Sequence, residues 1–362
     1  MNKFLKLERN QKIIASLIAI LFGFIFAFII LNIAGFLNPR GSDPVGGLLT
    51  IITGGLRTSG IKGIGTILKF STPVILTGLS VGFAFKTGLF NIGASGQYIM
   101  GGFSAAYVSI KWLFIPVEFR WIVALLIATL IGGIWGLIAG VLKAKRNVNE
   151  VISSIMLNYI GMYTVSTLVP LIPDQFNPSR TQVPLAKVPT FGLDKIFGSL
   201  TVDFGIIISI AMVFVIYIIL EKTTFGYELK ACGYNREAAR YAGINDERGI
   251  MASMFIAGAL SGLAGGLVYI SSITKVIDQS TVLQSEGFDG ISVALLGLSN
   301  PFGILFSGIF ISMLRNAGVP LSRSGYNEEV VRIMTSTIIY ASAFSLIMRE
   351  KFTAWLVRKD AK

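Results

Sequence analysis

The chain has 362 residues, 53% of them hydrophobic and only 14% charged, with a formal net charge of +12. Ordinary soluble domains carry about a quarter charged residues, so most of this chain belongs in lipid. It holds a single cysteine, Cys232, and no histidine. Intrachain disulfides, Ser-His-Asp and Cys-His catalysis, His-based zinc sites and cysteine-held iron–sulfur clusters are therefore excluded.

Ten apolar runs approach the length needed to cross about 30 Å of hydrocarbon. They lie at roughly 13–36, 64–85, 88–110, 121–142, 149–172, 203–220, 250–272, 286–299, 302–318 and 330–348. The first, Ile13 to Phe36, is too long for a signal-peptide core and lacks a small-residue cleavage site, so it is expected to stay as an anchor. Cations cluster before this run (Lys3, Lys6, Arg9, Lys12), after the fourth (Lys143, Lys145, Arg146), in 221–249 (Lys222, Lys230, Arg236, Arg240, Arg248) and in the tail (Arg349, Lys351, Arg358, Lys359, Lys362). With ten spans all four clusters fall on one face. Cations near span ends are retained inside, so both termini are expected to be cytoplasmic. The same bias accounts for the net charge without a nucleic-acid partner.

Along the chain, Asn91, Ser95 and Gln97 sit among Gly88, Gly93, Gly96, Gly101 and Gly102. Glycines let helices approach closely, and polar side chains at membrane depth must find partners inside the protein, which makes 88–102 a candidate pathway segment or a helix-packing joint. Asn158 and Tyr159, on the fifth span, add an amide and an aromatic ring. Trp112 and Trp121 read as belt anchors at the membrane surface. The segment 173–201 carries Pro173, Pro178, Pro184 and Pro189 with mixed charge, which suits an ordered irregular cap.

In 221–249, Asn235 is a good N-cap, Glu237 suits the positive end of a helix dipole, Arg240 the negative end, and Gly243 a left-handed C-cap. The pattern predicts a short helix over 236–242. Two turns are marginal alone in water, so this helix expects a partner surface. Its face of Ala238, Tyr241 and Ala242 is small and weakly apolar, which favours a protein groove over a lipid anchor. Farther on, Asp289 beside Gly287 and Gly290 is a carboxylate near a span end, costly unless it faces water, a cation or a backbone N–H. Its span is short and stops at Asn300-Pro301, as in a broken or re-entrant helix lining a cavity. The glycine-rich segments occupy matching places in 64–172 and 250–348, which suggests an inverted repeat with the pathway near its interface.

Glu237-Ala238-Ala239-Arg240-Tyr241-Ala242-Gly243 resembles the E-A-A-x-x-x-G element of ABC importer permeases. The stretches Gly78–Gln97 and Gly287–Gly297 resemble the N- and C-terminal signatures of the inner-membrane permeases for ribose, nucleosides and branched-chain amino acids. Asn147–Tyr159, with N-E-V-x-x-S-I-M-L-N, is most similar to the nucleoside type, Ser154 standing where threonine is usual. The resemblance implies an all-α polytopic fold in a bacterial plasma membrane, with 1–362 as one permease domain. It implies a coupling helix that inserts into a cytoplasmic P-loop ATPase, carried here by Asn235, Glu237, Ala238, Ala239 and Gly243. It further implies a second permease subunit, identical or different, and an external substrate-binding protein, lipid-anchored or periplasmic. ATP and magnesium would belong to the partner ATPase, since this chain has no G-x-x-x-x-G-K-[ST] loop and needs no cofactor of its own.

Such permeases hold substrate weakly, because a pathway must release what it passes. Scattered contacts are therefore expected at Asn91, Gln97, Asn158, Tyr159 and Asp289, with amides and carboxylate meeting ribose hydroxyls and Tyr159 stacking on a base. A ribose-type sugar permease is the alternative substrate class. An ion-coupled secondary transporter would ordinarily show more intramembrane charge than Lys69, Asp289 and Arg332. A membrane hydrolase lacks paired carboxylates at catalytic spacing, adjacent Glu328 and Glu329 pointing to different faces of a helix.

Overall fold

The computed structural model describes residues 8–37, 43–54, 56–198, 201–272, 275–279 and 281–343. Lys3 and Lys6, the end of the tenth expected span at 344–348 and the cationic tail lie outside them. The described residues are helical apart from turns, irregular segments and isolated β-bridges. The helices are α1 (Glu8–Leu37), α2 (Pro44–Ile52), α3 (Leu56–Lys86), α4 (Ala94–Lys111), α5 (Val117–Arg146), α6 (Glu150–Leu168), α7 (Leu193–Phe197), α8 (Gly205–Lys222), α9 (Thr224–Tyr234), α10 (Arg236–Tyr241), α11 (Asp246–Tyr269), α12 (Ser285–Leu296), α13 (Pro301–Asn316), α14 (Gly318–Arg323) and α15 (Glu328–Ala343).

Six segments of the described chain are long and apolar enough to cross a bilayer: Ser59–Lys86, Val117–Arg146, Glu150–Leu171, Gly205–Lys222, Asp246–Tyr269 and Pro301–Arg323. Of two expected spans with glycine-rich starts, one begins later than predicted and the other is short, as Asn300-Pro301 indicated. The run 88–110 becomes helical only at Ala94, because Gly88 takes φ +75° and the chain turns through 87–93 before α4 begins. The run 286–299 is a helix of 12 residues that stops at Leu296, where Leu298 and Ser299 adopt left-handed backbone and Asn300 caps α13.

The centre of the bundle is α3 and α11, buried over most of their lengths. α11 packs on α4 and α5, and α3 packs on α12 and α13. Small residues make the first contact possible: a Cβ added at Gly265 of α11 would lie 1.9 Å from the Tyr98 carbonyl oxygen of α4. Lipid supplies no hydrophobic drive between helices, so this backbone proximity is what provides the packing energy. The outer helices carry exposed apolar stripes. On α5, Leu126, Leu130, Ile134 and Ile138 recur every four residues, and α8 exposes Ile207, Phe214, Val215 and Ile218. A soluble protein would bury such stripes, whereas a bilayer solvates them.

The segment after α6 is an ordered cap, as its prolines and mixed charge predict. The Thr181 N–H donates to the Ile277 carbonyl and the Val188 N–H to the Ile270 carbonyl, at 2.9 and 2.8 Å, which ties the cap to the chain leaving α11. The Phe176 N–H, helped by that of Asn177 and by Arg180, holds the Asp174 carboxyl below its ordinary range. Trp121 packs edge-on against Phe191 of the cap and Phe204, each at 6.5 Å between centroids.

Candidate functional site

Three groups of polar residues stand out, at different depths of the bundle. The first is the helical turn at 221–249. Two helices form there where one was expected. The Thr223 side chain caps α9 by accepting from Gly226 N–H, and that of Asn235 caps α10 by accepting from Ala238 N–H at 3.0 Å. Gly243 takes φ +81°, the left-handed C-cap. α10 is anchored from beneath: Arg236 and Arg240 both donate to the buried carboxylate of Asp246, the first residue of α11, the Arg240 bond measuring 2.8 Å. That hydrogen bond, with the charge behind it, pushes the Arg240 guanidinium further up, so it stays cationic. Ala239 turns inward and is buried, whereas Ala238, Glu237 and Tyr241 face out, Tyr241 being 95% exposed. Gly233, at the end of α9, lies against Gly88, so the base of this turn touches the loop between α3 and α4. Cys232, half-buried, sits in α9.

The second group is a buried amide network. Asn91 and Gln97 exchange reciprocal hydrogen bonds at 2.8 and 3.0 Å, and Asn91 also donates to the Ser80 hydroxyl. Ser80 donates to the Ala257 carbonyl and accepts from Ser261, which joins α3, the 87–93 loop, α4 and α11. Asn158 accepts from Gly96 N–H at 2.7 Å and donates to the Ile92 carbonyl, adding α6. These three amides are fully buried and their partners belong to the protein, so here they brace helices around the turn at 87–93. Tyr159 is not with them. It lies on the outward stripe of α6, 46% exposed, next to Ile160 and Tyr163.

In the third group the sequence marked Asp289 and Lys69 but neither their partners nor the cavity beside them. At the far end of α11 from α10 a cavity of about 660 Å³ opens between α3, α11, α12 and α13. Lys69, Lys275, Glu286 and Arg315 line it, Lys275 paired with Glu286 on the wall, and Lys69 and Arg315 paired with Asp203 and Asp289 behind it. Asp203 also accepts from the Ser272 and Gly205 N–H groups, so its charge is fully embraced. Asp289 thus meets the cation its position demanded, while its second oxygen is buried and accepts no hydrogen bond from the described residues.

A family model described as branched-chain amino acid transport system / permease component matches residues 63–343. The chain belongs to this permease family. Among its relatives, the nucleoside ABC transporter permease protein NupB of Lactococcus lactis subsp. cremoris is 34% identical over 94% of this permease and 93% of its own length. The guanosine ABC transporter permease protein NupP of Bacillus subtilis is 32% identical over 94% and 96%. The glucose ABC transporter permease protein TsgB13 of Haloferax volcanii is 29% identical over 76% and 75%. No solved structure matches. The permease is a multi-pass protein of the cell membrane.

Proposed function

We propose that the chain is the permease subunit of an ABC importer for nucleosides. The reading rests on the nucleoside and guanosine permeases that it matches over almost their whole lengths. The glucose permease relative keeps a sugar substrate as the second reading, over a smaller share of both chains. ATP is bound and hydrolysed by separate cytoplasmic subunits, and an external binding protein delivers the substrate to a pair of permease subunits.

Ten spans with both termini cytoplasmic fit the helices at hand: α1, α3, α4, α5, α6, α8, α11, α12, α13 and α15 stand where the ten apolar runs were read. The inverted repeat has support in the packing. The first helix of each block, α3 or α11, packs on the second and third helices of the other block. α10 is the coupling helix, with Asn235 and Gly243 fixing its ends, Glu237 and Ala238 presented to the ATPase and Ala239 seating it on its own chain. When ATP closes the ATPase dimer, α10 moves, and the Arg236–Asp246–Arg240 clamp passes that displacement into α11. Asn91, Gln97 and Asn158 frame the pathway at its inner turn, Asp289 borders it at the other end, and Tyr159 faces the second subunit.

Affinity purification from native membranes in mild detergent, with mass spectrometry of the companions, tests the assembly. A P-loop ATPase and a substrate-binding protein are expected, with ATP hydrolysis stimulated by nucleoside; a chain that purifies alone and carries nucleoside along an ion gradient would overturn the reading. Gly243→Val forces a β-branched residue into φ +81°, at a cost of about 1–2 kcal/mol. The variant is expected to insert normally but to co-purify several-fold less ATPase; unchanged co-purification would remove the coupling role.

A further inference from the structure

We infer that the ion-paired cavity is a substrate vestibule, and that its charge balance selects uncharged, polyhydroxylated solutes over their phosphorylated forms. The inference rests on the nucleoside reading and adds to it a place and a rule of selection.

The position is fitting. Val268, on the cavity wall, lies 22 residues beyond Asp246 on one continuous helix, about 33 Å along its axis. That is the thickness of the hydrocarbon core, so the cavity opens in the leaflet opposite the coupling helix. Its volume of about 660 Å³ falls within the roughly 300–1,000 Å³ typical of small-molecule sites. Phe70, Pro73, Val74 and Val268 give it an apolar wall on which a ring can rest.

The charges are disposed unlike those of an anion site. Lys69, Lys275, Arg315 and Glu286 line the wall, Asp203 and Asp289 stand behind Lys69 and Arg315, and each cation is committed to one carboxylate, so the three pairs together carry no net charge. A phosphate brought from water would need an uncommitted cation to replace its hydration, and none of these pairs can release one without stranding a carboxylate. A hydroxyl is different. It donates to one member of a pair and accepts from the other without separating them, as Lys275 and Glu286 on the wall allow. Because hydroxyls add to these pairs rather than break them, the hold is weak enough for onward passage.

Substituted cysteines read both the place and the charge. Thr66→Cys and Val268→Cys are introduced at the wall of the assembled transporter and modified from outside by cationic and anionic membrane-impermeant thiol reagents, with uptake measured in the same vesicles. The two reagents are expected to react at similar rates, and saturating guanosine with its binding protein to slow both several-fold, while guanosine 5′-monophosphate gives no protection. Lys275→Met should then favour the cationic reagent roughly ten-fold, and Glu286→Gln the anionic one by as much, a response to local potential that a merely structural pair would not give. Unprotected cysteines beside intact ATP-driven uptake would refute the vestibule alone. Equal protection by the monophosphate would refute the selection rule. Protection without ATP-driven uptake would leave the vestibule standing and refute the importer.

Discussion

Replacing Gly265 by valine is expected to abolish accumulation of folded permease in the membrane. The first atom of the new side chain would sit 1.9 Å from the Tyr98 carbonyl oxygen, a backbone atom that cannot swing aside. Relief requires α4 and α11 to separate, which pulls on the chain of bonds that ties them indirectly, from Gln97 of α4 through Asn91 and Ser80 to Ala257 and Ser261 of α11. A misfit of this kind costs roughly 2–4 kcal/mol, a large part of a domain's net stability. Detergent-resistant monodisperse protein, measured by fluorescence-detected size exclusion with thermal challenge, should fall to near background. A variant with wild-type melting would mean that α4 and α11 are not in contact as described.

Asp246→Asn is expected to act differently, leaving the bundle intact while releasing α10. Its buried carboxylate takes hydrogen bonds from both Arg236 and Arg240, and an asparagine offers one neutral oxygen instead. Hydrogen bonds to charged groups contribute about 1.5–3 kcal/mol each when one partner is buried, and the half-exposed guanidinium groups place this clamp at the low end. ATP-dependent uptake should fall about ten-fold, the factor that roughly 1.4 kcal/mol of lost coupling gives. Membrane insertion should not change. Uptake at the wild-type rate would show that α10 needs no anchor on α11.

The two variants also mark what the sequence could and could not disclose. α10 was legible because its signals are local: Asn235 caps it, Glu237 and Arg240 suit its dipole, and Gly243 ends it. α9 escaped notice although Thr223 caps it in the same way, because two glycines and scattered charges in Thr224–Tyr234 blur any helical period. The run 88–110 read as one span because Leu89, Phe90 and Ile92 keep the local average apolar through a turn that Gly88 makes. The short α12 was foreseen from Asn300-Pro301.

Asp289 and Lys69 drew attention as charges in apolar surroundings, yet their partners did not. Lys69 meets Asp203 across 134 positions and Asp289 meets Arg315 across 26. Nothing in either local stretch announces such a pairing, which arises only when α3, α8, α12 and α13 assemble. The same holds for the amides. A polar residue among glycines must find a partner, but only the assembled bundle decides whether that partner is solute or protein. For Asn91, Gln97 and Asn158 it is protein.

The central claim is that ATP hydrolysed by other subunits drives nucleoside through this chain. It is tested most directly by reconstituting the purified complex in vesicles with ATP enclosed on the α10 side. Radiolabelled guanosine and the binding protein are then supplied from the other side, with no ion gradient. Accumulation above equilibrium that requires ATP, and slows about ten-fold when α10 is unseated by Asp246→Asn, is the result predicted. Accumulation without ATP when a proton or sodium gradient is imposed would contradict it.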